Sequence, residues 1–162
     1  MKVAHVALLA YLLATQSQAQ ELVVGLGYTE FNDNAADSGG VLEVEYHFAP
    51  RWKLGGGDLY LAMAAMTNDP GDYFIGAGVG AEFPLGDKGW FLQGSIMPGY
   101  YDASSAGNDL GSDFEFRSSL ALGYRMQSGW ALSAAASHFS NAGLGDSNPG
   151  LLVATLRLGR SF

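Results

Sequence analysis

From Glu21 onward, apolar side chains recur at every second position, with glycine, serine, alanine or a charged residue between them. A period of two is the signature of a β-strand with one apolar face, and a helix, with its 3.6-residue period, cannot satisfy it. The pattern divides into eight segments, residues 21–31, 41–49, 58–67, 73–83, 90–100, 114–126, 130–140 and 152–162. Stretches rich in Gly, Asn, Asp, Pro and Ser separate them. Segment 114–126 is the cleanest: Phe114, Phe116, Leu120, Leu122 and Tyr124 alternate with Glu115, Arg117, Ser119, Gly123 and Arg125. Twenty-three glycines are more than a helical domain of this length would carry, and they fit strands whose second face is built of small residues.

Periodicity alone leaves two architectures open. In a soluble barrel the apolar face points inward; in a membrane barrel it points outward, and small residues and paired charges fill a narrow lumen. The charges on the second face, Glu43, Glu45, Glu82, Glu115, Arg117, Arg125 and Arg157, are of both signs and suit such a lumen. The connections alternate in length as well. Short ones follow segments two, four and six, whereas 32–40, 68–72, 101–113 and 141–150 are mostly longer and polar. Short turns on one side and long loops on the other are the usual arrangement of an outer-membrane barrel.

Residues 1–19 agree with this. Lys2 precedes the apolar run Val3–Ala14, and Ser17 and Ala19 have the spacing of a signal-peptidase site. The reading is therefore a cleaved signal peptide over 1–19 and one domain over 20–162. That domain is an all-β, eight-stranded antiparallel transmembrane β-barrel of the bacterial outer membrane. The apolar run is too short for a permanent membrane helix. Tyr28, Tyr46, Tyr73, Trp90 and Trp130 are placed for interfacial aromatic belts. The terminal Phe162 resembles the signal read by the outer-membrane assembly machinery, although Arg160 departs from the residue usual two positions before it.

Composition removes several functions. Loss of Lys2 with the leader takes the formal charge from −8 to −9, the wrong sign for a nucleic-acid partner. There is no cysteine for disulfide or thiol chemistry, and no His/Cys cluster suggests a metal. Beyond the leader only His47 and His138 remain to serve as a histidine base. His47 shares a face with Glu43 and Glu45 and reads as part of a lumen ion-pair network. An eight-stranded lumen is filled by side chains, so a solute pore is not expected.

His138 is different. In segment 130–140, His138 and Ser140 share a face with Trp130 and Leu132, the face assigned to lipid. Residues i and i+2 of a strand lie side by side, which places an imidazole next to a hydroxyl as an esterase requires. The stretch His138-Phe139-Ser140-Asn141-Ala142-Gly143-Leu144, with Asn148-Pro149-Gly150 before the last strand, closely resembles the lipid A 3-O-deacylase (PagL-type) family. That resemblance implies an outer-membrane esterase that removes the ester-linked 3-hydroxyacyl chain of lipid A, in the lipopolysaccharide of the outer leaflet, without a cofactor. It implies His138 as general base, Ser140 as nucleophile, and the Asn141 side chain and Gly143 N–H as oxyanion donors.

One departure stands out. The family completes its triad with a glutamate eleven or twelve residues beyond the serine, where this chain has Leu151 and Leu152. Asp146, Asn148 or Glu115 could orient the imidazole instead, although the parity of Glu115 points it into the lumen. The alternative is a non-catalytic small barrel, lipid-binding or structural, that has lost its acid. Oligomeric state has no sequence signal.

Overall fold

The alternation is realised as β-strands. The computed structural model describes residues 20–31 and 35–162; the expected signal peptide lies outside the described residues. The strands are β1 Glu21–Phe31, β2 Gly40–His47, β3 Trp52–Leu54, β4 Gly57–Asn68, β5 Tyr73–Pro84, β6 Trp90–Asp102, β7 Phe114–Arg125, β8 Trp130–Ser140 and β9 Leu151–Ser161. Every pairing is antiparallel between neighbours, β1 pairs with β9, and β2 pairs with β4. These last two pairings close the sheet into an eight-stranded barrel with β3 outside the ring.

The short β3 is a local feature that the sequence segments do not separate. Trp52–Leu54 folds back on Gly57–Leu59 through a turn whose Gly55 has φ 57°. Pro98 leaves a second mark: it has no N–H to donate, and the β5–β6 ladder skips the pairs between Gly76–Gly99 and Val79–Ile96.

The apolar face points outward. Leu26, Leu120 and Leu156 are 66%, 59% and 73% exposed, and Leu22, Val24, Met63, Ile75, Ile96 and Leu132 stand exposed on the same wall. Burial of these residues in a soluble core would require the opposite parity, so the barrel is built to meet lipid. Aromatic side chains gather toward both rims. Trp90 stacks edge-on with Tyr124 near the short turns, and Tyr73 and Tyr100 meet near the long loops. Arg160, the departure near the C-terminus, lies over the Trp130 ring and donates to the Ser128 carbonyl.

The lumen is a packed core in two layers. Toward the termini, Arg117 Nη2 binds Glu43 and Glu45 at 2.6 and 2.5 Å, and Arg157 reaches the same two carboxylates at 2.8 and 3.2 Å. Glu45 also meets His47, which faces Glu21; Arg125 joins Glu21 to Glu82. The expected ion-pair network around His47 is therefore present. Toward the long loops, however, the lumen holds Phe74, Met97, Tyr101, Leu110, Phe139, Leu151 and Val153. The expectation of small residues and charges alone was incomplete, because rings enter wherever a glycine leaves room. A Cβ at Gly76 or Gly99 would collide with the Phe74 ring, and one at Gly123 with Phe91.

Candidate active site

The site is prepared by the parity of β8. Phe139 points inward, has no exposed surface, and packs edge-on against Phe74 with ring centroids 5.1 Å apart. That anchor turns its two neighbours, His138 and Ser140, outward onto the wall at the long-loop end of the strand. His138 is exposed and Ser140 half-buried. Neither side chain makes a hydrogen bond or ion pair among the described residues. Both are thus available to a substrate that approaches from the side.

Register defines the surroundings. His138 lies opposite Ser118 on β7 and opposite Leu152 on β9; Ser140 lies opposite Phe116. Of the two positions where the family pattern calls for glutamate, Leu151 is fully buried in the lumen, whereas Leu152 shares the outer wall with His138. Leu152 is therefore the position from which an acid would meet the imidazole directly. Beneath His138 the outward residues of β8 are Ala136 and Ala134. Leu120 and Leu122 flank them on β7, and Ala154 and Leu156 on β9. The small side chains between leucines form a shallow apolar lane that runs from His138 along the strand.

The loop after Ser140 is held by its own polar groups. Asn141 is fully buried, and its amide donates to the carbonyls of Leu110 and Ser147 at 3.0 and 2.7 Å. Its Oδ1 accepts the Gly143 N–H at 2.9 Å, and its carbonyl accepts the Leu144 N–H. The Asn141 N–H donates to Asn148 Oδ1 at 3.2 Å. The loop 103–113 packs so closely here that a Cβ on Gly145 would strike the Gly111 carbonyl. The result is a tight turn in which Ala142 has φ 56° and Gly143 φ 78°. Ala142 is the one non-glycine residue with positive φ among the described residues, a strained conformation of the kind that clusters at functional sites. Its N–H has no acceptor among the described residues.

The sequence-derived site residues thus occupy distinct places. His138 and Ser140 come together on the wall. Asn141 and Gly143 form the adjoining turn, with the hydrogens expected to serve an oxyanion engaged by internal acceptors. Asn148 supports the Asn141 backbone, and Asp146 is an exposed loop residue with no hydrogen bond or ion pair among the described residues. Glu115 is fully buried on the lumen parity, as its position predicts. Two residues that sequence reasoning passed over share the wall with His138: Ser118, and Glu30 on β1, which lies opposite Leu152. The signal for Glu30 was local, an acid on the apolar parity of residues 22–28.

A second brace holds the loops above the barrel. Asp72 is buried and accepts from Asn68 and Asn108 at 2.7 Å and from the Ser104 N–H and Oγ, each at 2.7 Å. Asn108 also accepts the Asp37 N–H and donates to the Asp37 carbonyl. Three loops are therefore joined to one another, and Leu110 joins them to the turn beside Ser140.

The family model for lipid A 3-O-deacylase (PagL) matches residues 22–161. A crystal structure of the outer membrane enzyme PagL superposes with a TM-score of 0.67 at 21% identity, over 86% of this chain and 98% of that one. A de novo designed transmembrane β-barrel gives 0.60 at 13% identity over 91% and 98%. The Neisserial surface protein A gives 0.57 at 8% identity over 89% and 96%. No curated protein sequence matches the chain. At these identities the structural likenesses speak for the fold: a small outer-membrane barrel.

Proposed function

Because the chain belongs to the lipid A 3-O-deacylase (PagL) family, we propose that it hydrolyses the ester that links a 3-hydroxyacyl chain to lipid A, with Ser140 as nucleophile and His138 as general base. The observation that carries this reading is the placement of both side chains, adjacent and unpaired, on the outer wall at the long-loop end of β8. In an outer-membrane barrel the long loops face outside. The pair then lies at the level of the outer leaflet, where lipid A resides.

The chemistry follows from the positions. An acyl chain lies along the Ala136–Ala134 lane, which brings its ester carbonyl to Ser140. The Ser140 Oγ attacks the carbonyl carbon as His138 accepts the hydroxyl proton. The oxyanion is met by the turn after the nucleophile. The Ala142 N–H is free for it, and the Gly143 N–H and Asn141 amide exchange their internal acceptors for the stronger, charged one. Such hydrogen bonds commonly tighten only when substrate is bound. Collapse breaks the ester C–O bond, and His138 returns the proton to the departing sugar hydroxyl. Water, deprotonated by His138, then releases the 3-hydroxy acid and restores Ser140. Residues 1–19 direct export, and Phe162 engages the assembly machinery.

A second reading, a barrel that binds lipid without cleaving it, is favoured by one observation: Leu152 stands where an acid would face His138. Mass spectrometry of lipid A from cells that express the chain separates the two. Loss of one 3-hydroxyacyl group that disappears in Ser140→Ala supports the enzyme. An unaltered lipid A beside a well-folded barrel supports the binder.

A further inference from the structure

The outward faces of β7, β8, β9 and β1 are apolar almost throughout, and across these four strands they carry one carboxylate, Glu30. Its position is not arbitrary. The ladder pairs Ser118 with His138, His138 with Leu152, and Leu152 with Glu30, so the four lie in one row across the wall. Glu30 is exposed, with no hydrogen bond or ion pair among the described residues, as is the imidazole in the same row.

We infer that Glu30, reaching over Leu152 from β1, is the acid that positions His138. Two interstrand steps separate the two residues, ~10 Å between Cα atoms. To close that span both side chains lean toward each other across Leu152, which points outward from the same wall. The Leu152 side chain between them keeps the surroundings apolar, which strengthens a charge–dipole interaction across it. The role requires a carboxylate: it must fix one ring tautomer in the resting state and stabilise the imidazolium formed when Ser140 gives up its proton. Ser118 is nearer, but its neutral hydroxyl offers no charge. In this role Glu30 acts on His138 and not on the substrate, so it is a positioning residue. The inference rests on the proposed roles of His138 and Ser140.

The test uses the full barrel, folded in detergent or liposomes, in two arms. On purified lipid A, Glu30→Gln lowers kcat by roughly 10²- to 10⁴-fold with KM unchanged. Glu30→Asp is also impaired, and Leu152→Glu in the Glu30→Gln protein restores turnover by placing a carboxylate directly opposite His138. The second arm needs no activity. In Ser140→Ala protein, ¹⁵N NMR of the His138 ring shows a single tautomer, and adding Glu30→Gln makes it a mixture. Activity within twofold of the parent in Glu30→Gln, or a large loss only in Ser118→Ala, overturns the inference. If the parent barrel cleaves nothing, the tautomer arm alone decides: a ring unchanged by Glu30→Gln overturns the pairing, and a changed one upholds it while the esterase reading fails.

Discussion

Replacing Arg117 with methionine removes the charge that the lower lumen is built around. Its side chain is fully buried, and one guanidinium nitrogen contacts Glu43 at 2.6 Å and Glu45 at 2.5 Å. Methionine preserves much of the length and leaves buried Glu43 dependent on Arg157, which is already shared with Glu45, whose other partner is His47. Breaking a buried pair by removing one partner costs about 3–5 kcal/mol, since the remaining charge is neither solvated nor compensated. That corresponds to a folding equilibrium shifted by roughly 10² to 10³ or more. Urea titration of the barrel in liposomes, read by the gel mobility of the unheated folded form, measures it. A companion Glu43→Gln in the same protein removes the excess charge and recovers most of the loss. A loss below about 1 kcal/mol for Arg117→Met, or no recovery with Glu43→Gln, would refute the reasoning that this network is tightly coupled. The consequence extends to the wall, because Arg117 pairs with Phe139 in the β7–β8 ladder, one row from Ser118 and His138.

Phe139→Ala empties the ring site against Phe74 and costs about 3–5 kcal/mol by the same urea titration. Deacylation falls further than stability alone explains, since Phe139 sets the outward aim of His138 and Ser140; unchanged kcat in the folded fraction would contradict this. Ala136→Phe fills the apolar lane and lowers kcat/KM on lipid A at least about tenfold, ~1.4 kcal/mol, with little change in stability. Full activity would move the acyl chain elsewhere. Burial alone would raise the Asp72 carboxyl, but hydrogen bonds from Ser104, Asn68 and Asn108 outweigh it and hold the group below its ordinary value of 3.8. A lowered carboxylate stabilises the folded loops above its unfolded value, and that stability is lost as pH falls through the lower folded one. Hydrogen exchange at the Ser104 amide therefore accelerates as the pH drops below about 3.8 beyond the intrinsic trend, and Asp72→Asn, which costs about 1–3 kcal/mol locally, removes that dependence.

The strands were legible because lipid outside and a narrow lumen inside impose the same alternation, so parity can be read from residues such as Leu120 and Arg117 without any partner. His138 and Ser140 were legible for the same reason: the i, i+2 relation is local. The aromatic half of the lumen was not. Phe74 fits only because Gly99, on the neighbouring strand, leaves space for its ring, and Phe139 only because Phe74 is there to receive it. Such pairings depend on register. The same holds for Leu152 opposite His138 and for Glu30 beyond it, which come together only when the first strand closes on the last. The Asn141 brace was also hidden, since its acceptor at Leu110 lies in a different loop.

Cleavage of lipid A by this wall-mounted pair is open to direct test. The most direct measurement is mass spectrometry of purified lipid A after incubation with the refolded barrel, the parent beside Ser140→Ala and His138→Ala. The expected outcome is loss of one 3-hydroxyacyl group with the parent and none with either variant, all three equally folded. Intact lipid A with the parent, or equal loss in all three, would contradict it.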